Sequence, residues 1–347
     1  MKVGRLGTGG TVVLEERPEP VAGPGEVTVR LAACGVCGTD LEKLRGNYRT
    51  AGILGHEPVG RIAAVGPGVS GLAEGARVFV HHHVPCYACE VCRRGDLTFC
   101  PSYAATNLDP GGFAEVFRVS AEHVRKEAVL PLDPGVDWGT GALLEPAGCA
   151  LTAIRRVGLS PGASVLVLGL GPVGMLYARL AKALGAGWVG GTELSPLRRR
   201  TAERGGVDAA IDPRAPEEVR AAVARATDGR GVDLAVAASG HPSVVRTAVE
   251  LARRGGTVNL FGLPEADSRL DSDLQQLYLR GVRVVPSYAT CEPEIREVHR
   301  LVVSGRLVLG DLVSHHLPLA DLSGAFALAA RPDEAVKVVV TGAEFGA

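Results

Sequence analysis

Net charge is nearly absent from this sequence: 37 Lys and Arg stand against 38 Asp and Glu, leaving −1 over 347 residues. With no bulk field, nothing draws the chain to nucleic acid or to an anionic membrane surface. No apolar run approaches the length of a membrane span. The opening stretch MKVGRLGTGGTVVLEERPEP has one early lysine and no continuous apolar segment, so no secretory leader is read there. Internal repeats and low-complexity segments are also missing. Lysine, asparagine and glutamine are scarce beside arginine, a bias that suits a thermophile or a GC-rich genome equally.

A hydrophobic share of 46% and a charged share of 22% describe a globular protein. The length exceeds one ordinary core and implies two domains. The expected setting is the cytoplasm. Disulfides seldom persist there, so clusters among the 8 cysteines are read first as metal ligands.

The first ~130 residues read as short strands broken by glycine and proline, among them EVTVRLAACG, GRIAAVGPG and ARVFVHHHV, with no sustained helical period. After Leu130 the pattern changes. DWGTGALLEPAGCALTAIRRVGL predicts helix in two pieces, with Pro146 at the break. SVLVLGLGPVGMLYARLAKALGAGWVGGTE then predicts a strand, a glycine turn, a one-faced helix and a second strand. VDLAVAASG, GTVNLFG and GVRVVPSY continue the alternation, which predicts a parallel sheet covered on both faces. From about Arg296 mixed elements return and end in the strand AVKVVVTG. The simplest organisation is a nucleotide-binding domain inserted into a β-rich domain that uses both ends of the chain.

VLVLGLGPVG places Gly169, Gly171 and Gly174 as G-x-G-x-x-G between a strand and a helix that opens at Pro172 and Val173. The first glycine permits the tight turn, the second lets backbone approach a pyrophosphate, and the third brings helix and strand close. The helix N-terminus adds free N–H groups. Glu193 ends the following strand at the spacing of a ribose-binding acid and favours NAD over NADP. Arg198, Arg199 and Arg200 compete as partners for a 2′-phosphate or form a solvated helix face. Gly190 and Gly191 in the second strand leave room for adenosine or have no function. The earlier GTGG, Gly7 to Gly10, lacks a strand–helix context and reads as a turn.

Cys86, Cys89, Cys92 and Cys100 form C-x2-C-x2-C-x7-C. Four thiolates so spaced close a tetrahedron around zinc and leave no place for water. An iron–sulfur cluster is the rival, but the fourth cysteine lies too far along for the ferredoxin run. A second group is dispersed: CGVCGTD supplies Cys34, Cys37, Thr39 and Asp40, and LGHEPVG supplies His56 and Glu57. Thiolate, imidazole and carboxylate make the mixed set of an open zinc site, with Asp40 suited to orient the histidine through its other ring nitrogen. His81, His82 and His83 would alternate faces on a strand, so a single nitrogen cluster is not expected from them.

These motifs together give the chain a resemblance to the zinc-dependent medium-chain dehydrogenase/reductase family, in its alcohol, polyol and threonine dehydrogenase group. GHEPVGRIAAVGPGV, from Gly55 to Val69, is similar to that family's zinc signature G-H-E-x2-G-x5-G-x2-V. The four-cysteine lobe, GLGPVG and a last lysine-bearing strand follow in the family's order. The resemblance implies a GroES-like catalytic domain over residues 1–150, with a zinc lobe at about 84–102. A Rossmann doubly wound parallel sheet would span 151–289, and 290–347 would return to the catalytic domain.

It implies two zinc ions per chain, one catalytic and one structural. Cys37 and His56 would be direct ligands of the catalytic ion, with Glu145 of LLEPAGCAL at the position of a further ligand. Glu57 and Glu145 could each reach the ion directly or through water, whereas Cys34 and Cys149 fall on no ligand position. Further cofactor contacts would come from Ser239 and Gly240, from Phe261, Gly262 and Leu263, and from Ser287 and Tyr288.

The activity so implied is hydride transfer between a secondary alcohol (a polyol, cyclitol or amino alcohol) and NAD set across the cleft, with Thr39 taking the alcohol proton. Relatives carry a relay histidine three residues beyond that threonine, where this chain has Glu42. A simple alcohol dehydrogenase and a non-catalytic NAD-binding relative are the alternatives. Loops near Tyr48, Asn107 and Phe113 would build the substrate pocket, and GVRVVPSY is a candidate edge strand for a homodimer or homotetramer.

Overall fold

β-Branched runs punctuated by glycine and proline build the N-terminal part of the chain into a sheet. The computed structural model describes residues 1–47, 52–270 and 273–346. Tyr48, one of the expected pocket positions, lies outside them. The chain divides into two units. One is Met1–Gly148 with Thr290–Arg331 and Lys337–Ala347; the other is Cys149–Ala289 with Pro332–Val336. The return to the first unit is therefore interrupted by five residues, 332–336, that cluster with the second.

The first unit is organised around the strand Val27–Gly35, which is almost wholly buried. It pairs antiparallel with Pro58–Val65, with Val116–Val119 and with the late strand Lys337–Thr341. The sheet continues through Arg77–Val80 to Val129–Pro131 on one side and to Val313–Pro318 on the other. Contrary to the absence of helical period, short helices interrupt this region at Gly38–Leu44, Glu90–Arg93 and Ala121–Arg125. One or two turns are too short to impose a period on the sequence. Gly38–Leu44 carries Thr39 and Asp40, with Cys37 at its N-cap.

Helices Trp138–Gly141 and Leu144–Val157 follow. The break falls before Leu144, and Pro146 sits in the first turn of the second helix. A missing N–H breaks no hydrogen bond at that position, so the proline starts this helix rather than dividing it.

Among the described residues the second unit has six parallel strands: Ser164–Leu168, Trp188–Thr192, Ala209–Ile211, Val232–Ala237, Ala252–Leu260 and Arg283–Pro286. Numbered along the chain, their spatial order is 3-2-1-4-5-6, the doubly wound arrangement of dinucleotide-binding sheets. Leu166, Val167, Ala235, Val236 and Val258 are fully buried at its centre. Gly190 makes room for an indole rather than for adenosine, since a Cβ there would lie 2.2 Å from the Trp188 ring. Among the described residues no helix is long and apolar enough to cross a membrane.

Candidate active site and metal centres

The glycine turn follows from the close approach of strand and helix. Gly169 has φ +107°, open to glycine, and a Cβ on Gly174 would lie 1.9 Å from the Gly169 carbonyl oxygen. Helix Pro172–Ala183 starts with Gly171 at its N-cap and Pro172 in its first turn, which leaves the first backbone N–H groups without intrahelical partners.

A recess of about 190 Å³ borders the carboxyl ends of the first two strands, lined by Leu168, Thr192, Pro213, Pro216 and Val244. Glu193 follows directly, its Oε1 accepting the Ser195 N–H at 3.0 Å. Arg199 donates to the Glu193 and Leu194 carbonyls at 2.6 and 2.8 Å and to Asp212 at 3.2 Å. Arg198 donates to the Ala335 carbonyl at 3.2 Å. Backbone at Ser239–Gly240 and Gly262–Leu263 is in contact, since a Cβ on Gly240 would meet the Leu263 carbonyl oxygen. Phe261 stacks edge-on with Tyr177 at 5.3 Å, Ser287 N–H donates to the Leu260 carbonyl, and Tyr288 is partly exposed.

In the first unit the four lobe cysteines converge. Sγ separations are 3.9 Å for Cys86–Cys92, 3.5 Å for Cys89–Cys92, 3.9 Å for Cys89–Cys100 and 3.6 Å for Cys86–Cys100. A zinc tetrahedron with bonds of about 2.3 Å has edges of about 3.8 Å, so the set fits zinc and is too open for a disulfide. Backbone N–H groups of Ala88 and Cys89 point at the Cys86 sulfur and pull its thiol down to about 6.

The Cys37 thiol, the His56 imidazole and the Glu57 carboxylate offer ligand atoms within 4.8 Å of one another. Sulfur, nitrogen and oxygen donors in one open group suit zinc. Asp40 is fully buried beneath them. It accepts from the Cys37 and Gly55 N–H groups, with His56 Nδ1 and Lys43 Nζ each at 3.4 Å. Burial alone would raise the Asp40 carboxyl, but His56 and Lys43 outweigh it and hold the group well below the usual carboxylate range.

Glu57 faces Lys337, the lysine of the last strand AVKVVVTG, to which the motif reading gave no role. Its Oε1 accepts from Lys337 Nζ at 2.8 Å. Oε2 lies 2.6 Å from the same ammonium but off the hydrogen-bonding direction, so this buried oxygen has no hydrogen-bond partner. Ionic attraction therefore holds the pair while one carboxylate oxygen stays open to a further cation. Burial opposes the charge on Lys337, yet Glu57 and Cys37 raise it above the ordinary lysine value. Cys34 joins no ligand group among the described residues, and burial beside Glu57 and Asp40 keeps it a thiol.

Glu145 is gathered with His81 and His82, all three buried and with ligand atoms within 4.8 Å. This corrects the expectation that the histidines would alternate faces. Strand Arg77–Val80 ends before them, His82 lies in a bend, and the alternation of a pleated strand no longer applies. The His82 ring also approaches that of His56, with centroids 5.1 Å apart. His83 turns away to the Thr106 carbonyl.

Thr39 is half-buried on its helix, and both Glu42 oxygens are engaged, by Arg45 at 2.5 Å and Asn47 at 2.7 Å. Phe113 is a core residue packed on Phe326, Asn107 caps the Leu108 N–H, and Cys149 is half-buried.

Comparison with known proteins matches residues 23–131 to the family model of the Alcohol dehydrogenase GroES-like domain and residues 172–304 to that of Zinc-binding dehydrogenase. The chain is 35% identical to sorbitol dehydrogenase of Bacillus subtilis over 264 residues, 73% of this chain and 72% of that protein. It is 34% identical to L-threonine 3-dehydrogenase of Pyrococcus abyssi over 313 residues, 87% of each chain. Among solved structures it is similar to a Sinorhizobium meliloti 1021 protein assigned as a zinc-binding dehydrogenase and bound to NADP. The TM-score there is 0.87 at 29% identity, covering 98% of both chains.

Proposed function

Since the chain belongs to the zinc-dependent medium-chain dehydrogenase family, we propose that it oxidises a secondary alcohol (a polyol, cyclitol or amino alcohol) with NAD as hydride acceptor. The observation that carries this reading is the gathering of one thiol, one imidazole and one carboxylate, Cys37, His56 and Glu57, in a unit that also holds a closed four-cysteine cluster. When bound, zinc at the first group supplies Lewis acidity that lowers the pKa of a substrate hydroxyl, and NAD supplies the hydride acceptor.

The protein's own groups then have distinct tasks. Cys37 and His56 hold the catalytic ion, and Glu57 and Glu145 are the carboxylates that reach it directly or through water, Glu57 through the oxygen that Lys337 leaves without a hydrogen bond. Asp40 faces His56 Nδ1 and keeps Nε2 as the lone-pair nitrogen. Thr39 Oγ1 takes the alcohol proton. Onward transfer does not pass through a free carboxylate at Glu42, because Arg45 and Asn47 occupy it; solvent is the proposed acceptor. Cys86, Cys89, Cys92 and Cys100 hold the second zinc ion and fix their lobe. Backbone at Gly169–Gly174 receives the pyrophosphate and Glu193 the ribose, with Ser239, Gly240, Phe261, Gly262, Leu263, Ser287 and Tyr288 completing the cofactor surface.

Support for NAD comes from Glu193 at the ribose position and from Arg199, which is committed to the Glu193 and Leu194 carbonyls and Asp212; Arg198, close to Gly171 and to the Glu193 charge, is the competing partner for a 2′-phosphate. The proposed setting is cytoplasmic, and the proposed state is a homo-oligomer joined at the edge strand Arg283–Pro286, beside exposed Leu274 and Tyr278. The test is a cofactor-reduction screen over alcohols, polyols, cyclitols and threonine with NAD and NADP, on zinc-loaded protein. Turnover that disappears in Cys37→Ala is expected; no turnover across such a panel would overturn the reading.

A further inference from the structure

In the first unit the His82 imidazole is wedged between two rings that are themselves held. His81 Nδ1 meets a Glu292 oxygen at 2.8 Å, and the other oxygen of that carboxylate accepts from the Tyr87 hydroxyl. His83 is held by the Thr106 carbonyl. His82 packs edge to face on His81 at 5.3 Å and against His83 at 4.2 Å. Its ring also lies 5.1 Å from that of His56, and one of its nitrogens is within 4.8 Å of a Glu145 oxygen. Hydrogen bonds fix both supporting rings, yet the ring they support makes none among the described residues. With no counter-ion bonded to it, a ring so buried stays neutral and carries one N–H and one lone pair. Nδ1 is buried without a partner. A buried N–H is orphaned more rarely than a buried acceptor, which puts the proton on Nε2. Nε2 also lacks a partner but is not sealed from solvent, and the residue keeps 8% of its surface. His82 therefore offers one rigidly held N–H donor beside His56 and Glu145.

We propose that His82 Nε2–H contacts the substrate and selects a second hydroxyl on the carbon next to the reacting one, so that the substrate is a vicinal diol unit of a polyol or cyclitol. Such a contact presupposes the reading of Cys37, His56 and Glu145 as the catalytic metal group and deepens it. An alcohol held at that group by its reacting oxygen brings the substituents of the adjacent carbon among the surrounding side chains, and His82 is one of these. A hydroxyl oxygen accepts from the imidazole N–H. An ammonium has no lone pair to accept with, which ranks amino alcohols below diols. An alkyl group in the same place leaves the donor unpaired, and a site built to hydrogen-bond a hydroxyl rejects the analogue that lacks it. His82 binds and moves no proton in the reaction. Glu292 acts as the positioning residue for His81, on which His82 packs.

Three alcohols on one carbon skeleton test the assignment: butan-2-ol, 3-aminobutan-2-ol and butane-2,3-diol, the last in each stereoisomer. The full chain loaded with Co²⁺, without NAD, is titrated with each, and Kd is read from the perturbed visible absorption of cobalt. Turnover with NAD is read on the zinc-loaded chain. One stereoisomer of the diol should exceed both other alcohols by about tenfold or more in Kd and in kcat/KM, and this preference should collapse to about twofold or less in His82→Phe, which keeps a ring and removes the donor. His82→Gln, which can place an amide N–H near the same point, should recover part of it. A wild-type chain that binds butan-2-ol or the amino alcohol as tightly as the diol overturns the proposal, whether or not His82→Phe folds. So does a diol preference unchanged in His82→Phe, whether every alcohol weakens equally, as for a structural role, or none does. Cys37→Ala separates the two readings when no alcohol perturbs the cobalt spectrum. Loss of thiolate-to-metal charge-transfer absorption in that variant keeps the catalytic group and confines the failure to His82; an unchanged spectrum sinks both.

Discussion

Lys337→Met isolates the ion pair that closes the catalytic group. The ammonium lies 2.8 and 2.6 Å from the two Glu57 oxygens, with the side chains 2% and 0% exposed. Methionine fills similar volume and leaves the Glu57 charge buried without its partner. Breaking a buried pair in this way costs about 3–5 kcal/mol. For a domain of this size each kcal/mol lowers Tm by about 2–4 °C, so a fall of roughly 6–20 °C is expected in the chelator-treated chain. Zinc beside Glu57 supplies replacement positive charge, and the fall should be smaller in the zinc-loaded protein.

Glu57→Gln introduced into Lys337→Met removes the stranded charge and should restore most of the loss, a coupling that a double-mutant cycle measures directly. The sign of the pH dependence also follows. Burial opposes the lysine charge, but Glu57 and Cys37 outweigh it and raise the folded pKa above the ordinary 10.5. The pair's contribution is then complete below that value and is lost only as pH rises through the folded one. Differential scanning calorimetry of the four variants, with and without chelator, provides the assay. A Lys337→Met chain within about 1 kcal/mol of wild type after chelation, or no rescue by Glu57→Gln, would refute the reasoning.

Cys100→Ser should lose one zinc equivalent and lower Tm before it lowers turnover at the catalytic group; a folded, fully zinc-loaded variant deficient only in catalysis would contradict a structural role for the lobe. Gly174→Ala should weaken NAD binding at least tenfold by calorimetric titration, because its Cβ would lie 1.9 Å from the Gly169 carbonyl oxygen and must force helix and turn apart. Unchanged affinity would show that this turn does not cradle the cofactor.

Contiguous motifs made much of this protein legible. Cys86 to Cys100 span 15 residues, His56 and Glu57 are neighbours, and the glycine turn sits between an apolar strand and a one-faced helix. In each case local spacing carries the geometry. What the sequence did not disclose depends on where elements stop or on partners far along the chain. His81 and His82 look like alternating strand residues until the strand ends at Val80, and no residue type announces that end. The Lys337–Glu57 pair joins positions 280 residues apart, and the register that unites them is set by pairing between strands rather than by either segment. Glu292 was invisible for the same reason: it reads as the first residue of an ordinary helix, yet it holds His81 from 211 residues away.

The pairing of Lys337–Thr341 with Val27–Gly35 sets an order of maturation on the ribosome. Val339 lies opposite Gly35, Val340 opposite Cys34 and Thr341 opposite Ala33. At ~5–20 residues per second the ribosome needs roughly 15–60 s to travel between those partners. The contiguous strands of the parallel sheet emerge and can pair in that interval, while Val27–Gly35 keeps an open edge and Glu57 awaits its ammonium. Metal arriving early meets a carboxylate that has no partner; metal arriving late meets one whose Oε1 is already held by the Lys337 ammonium. Zinc supply during synthesis should therefore govern occupancy of the catalytic group more strongly than zinc supplied to the finished protein.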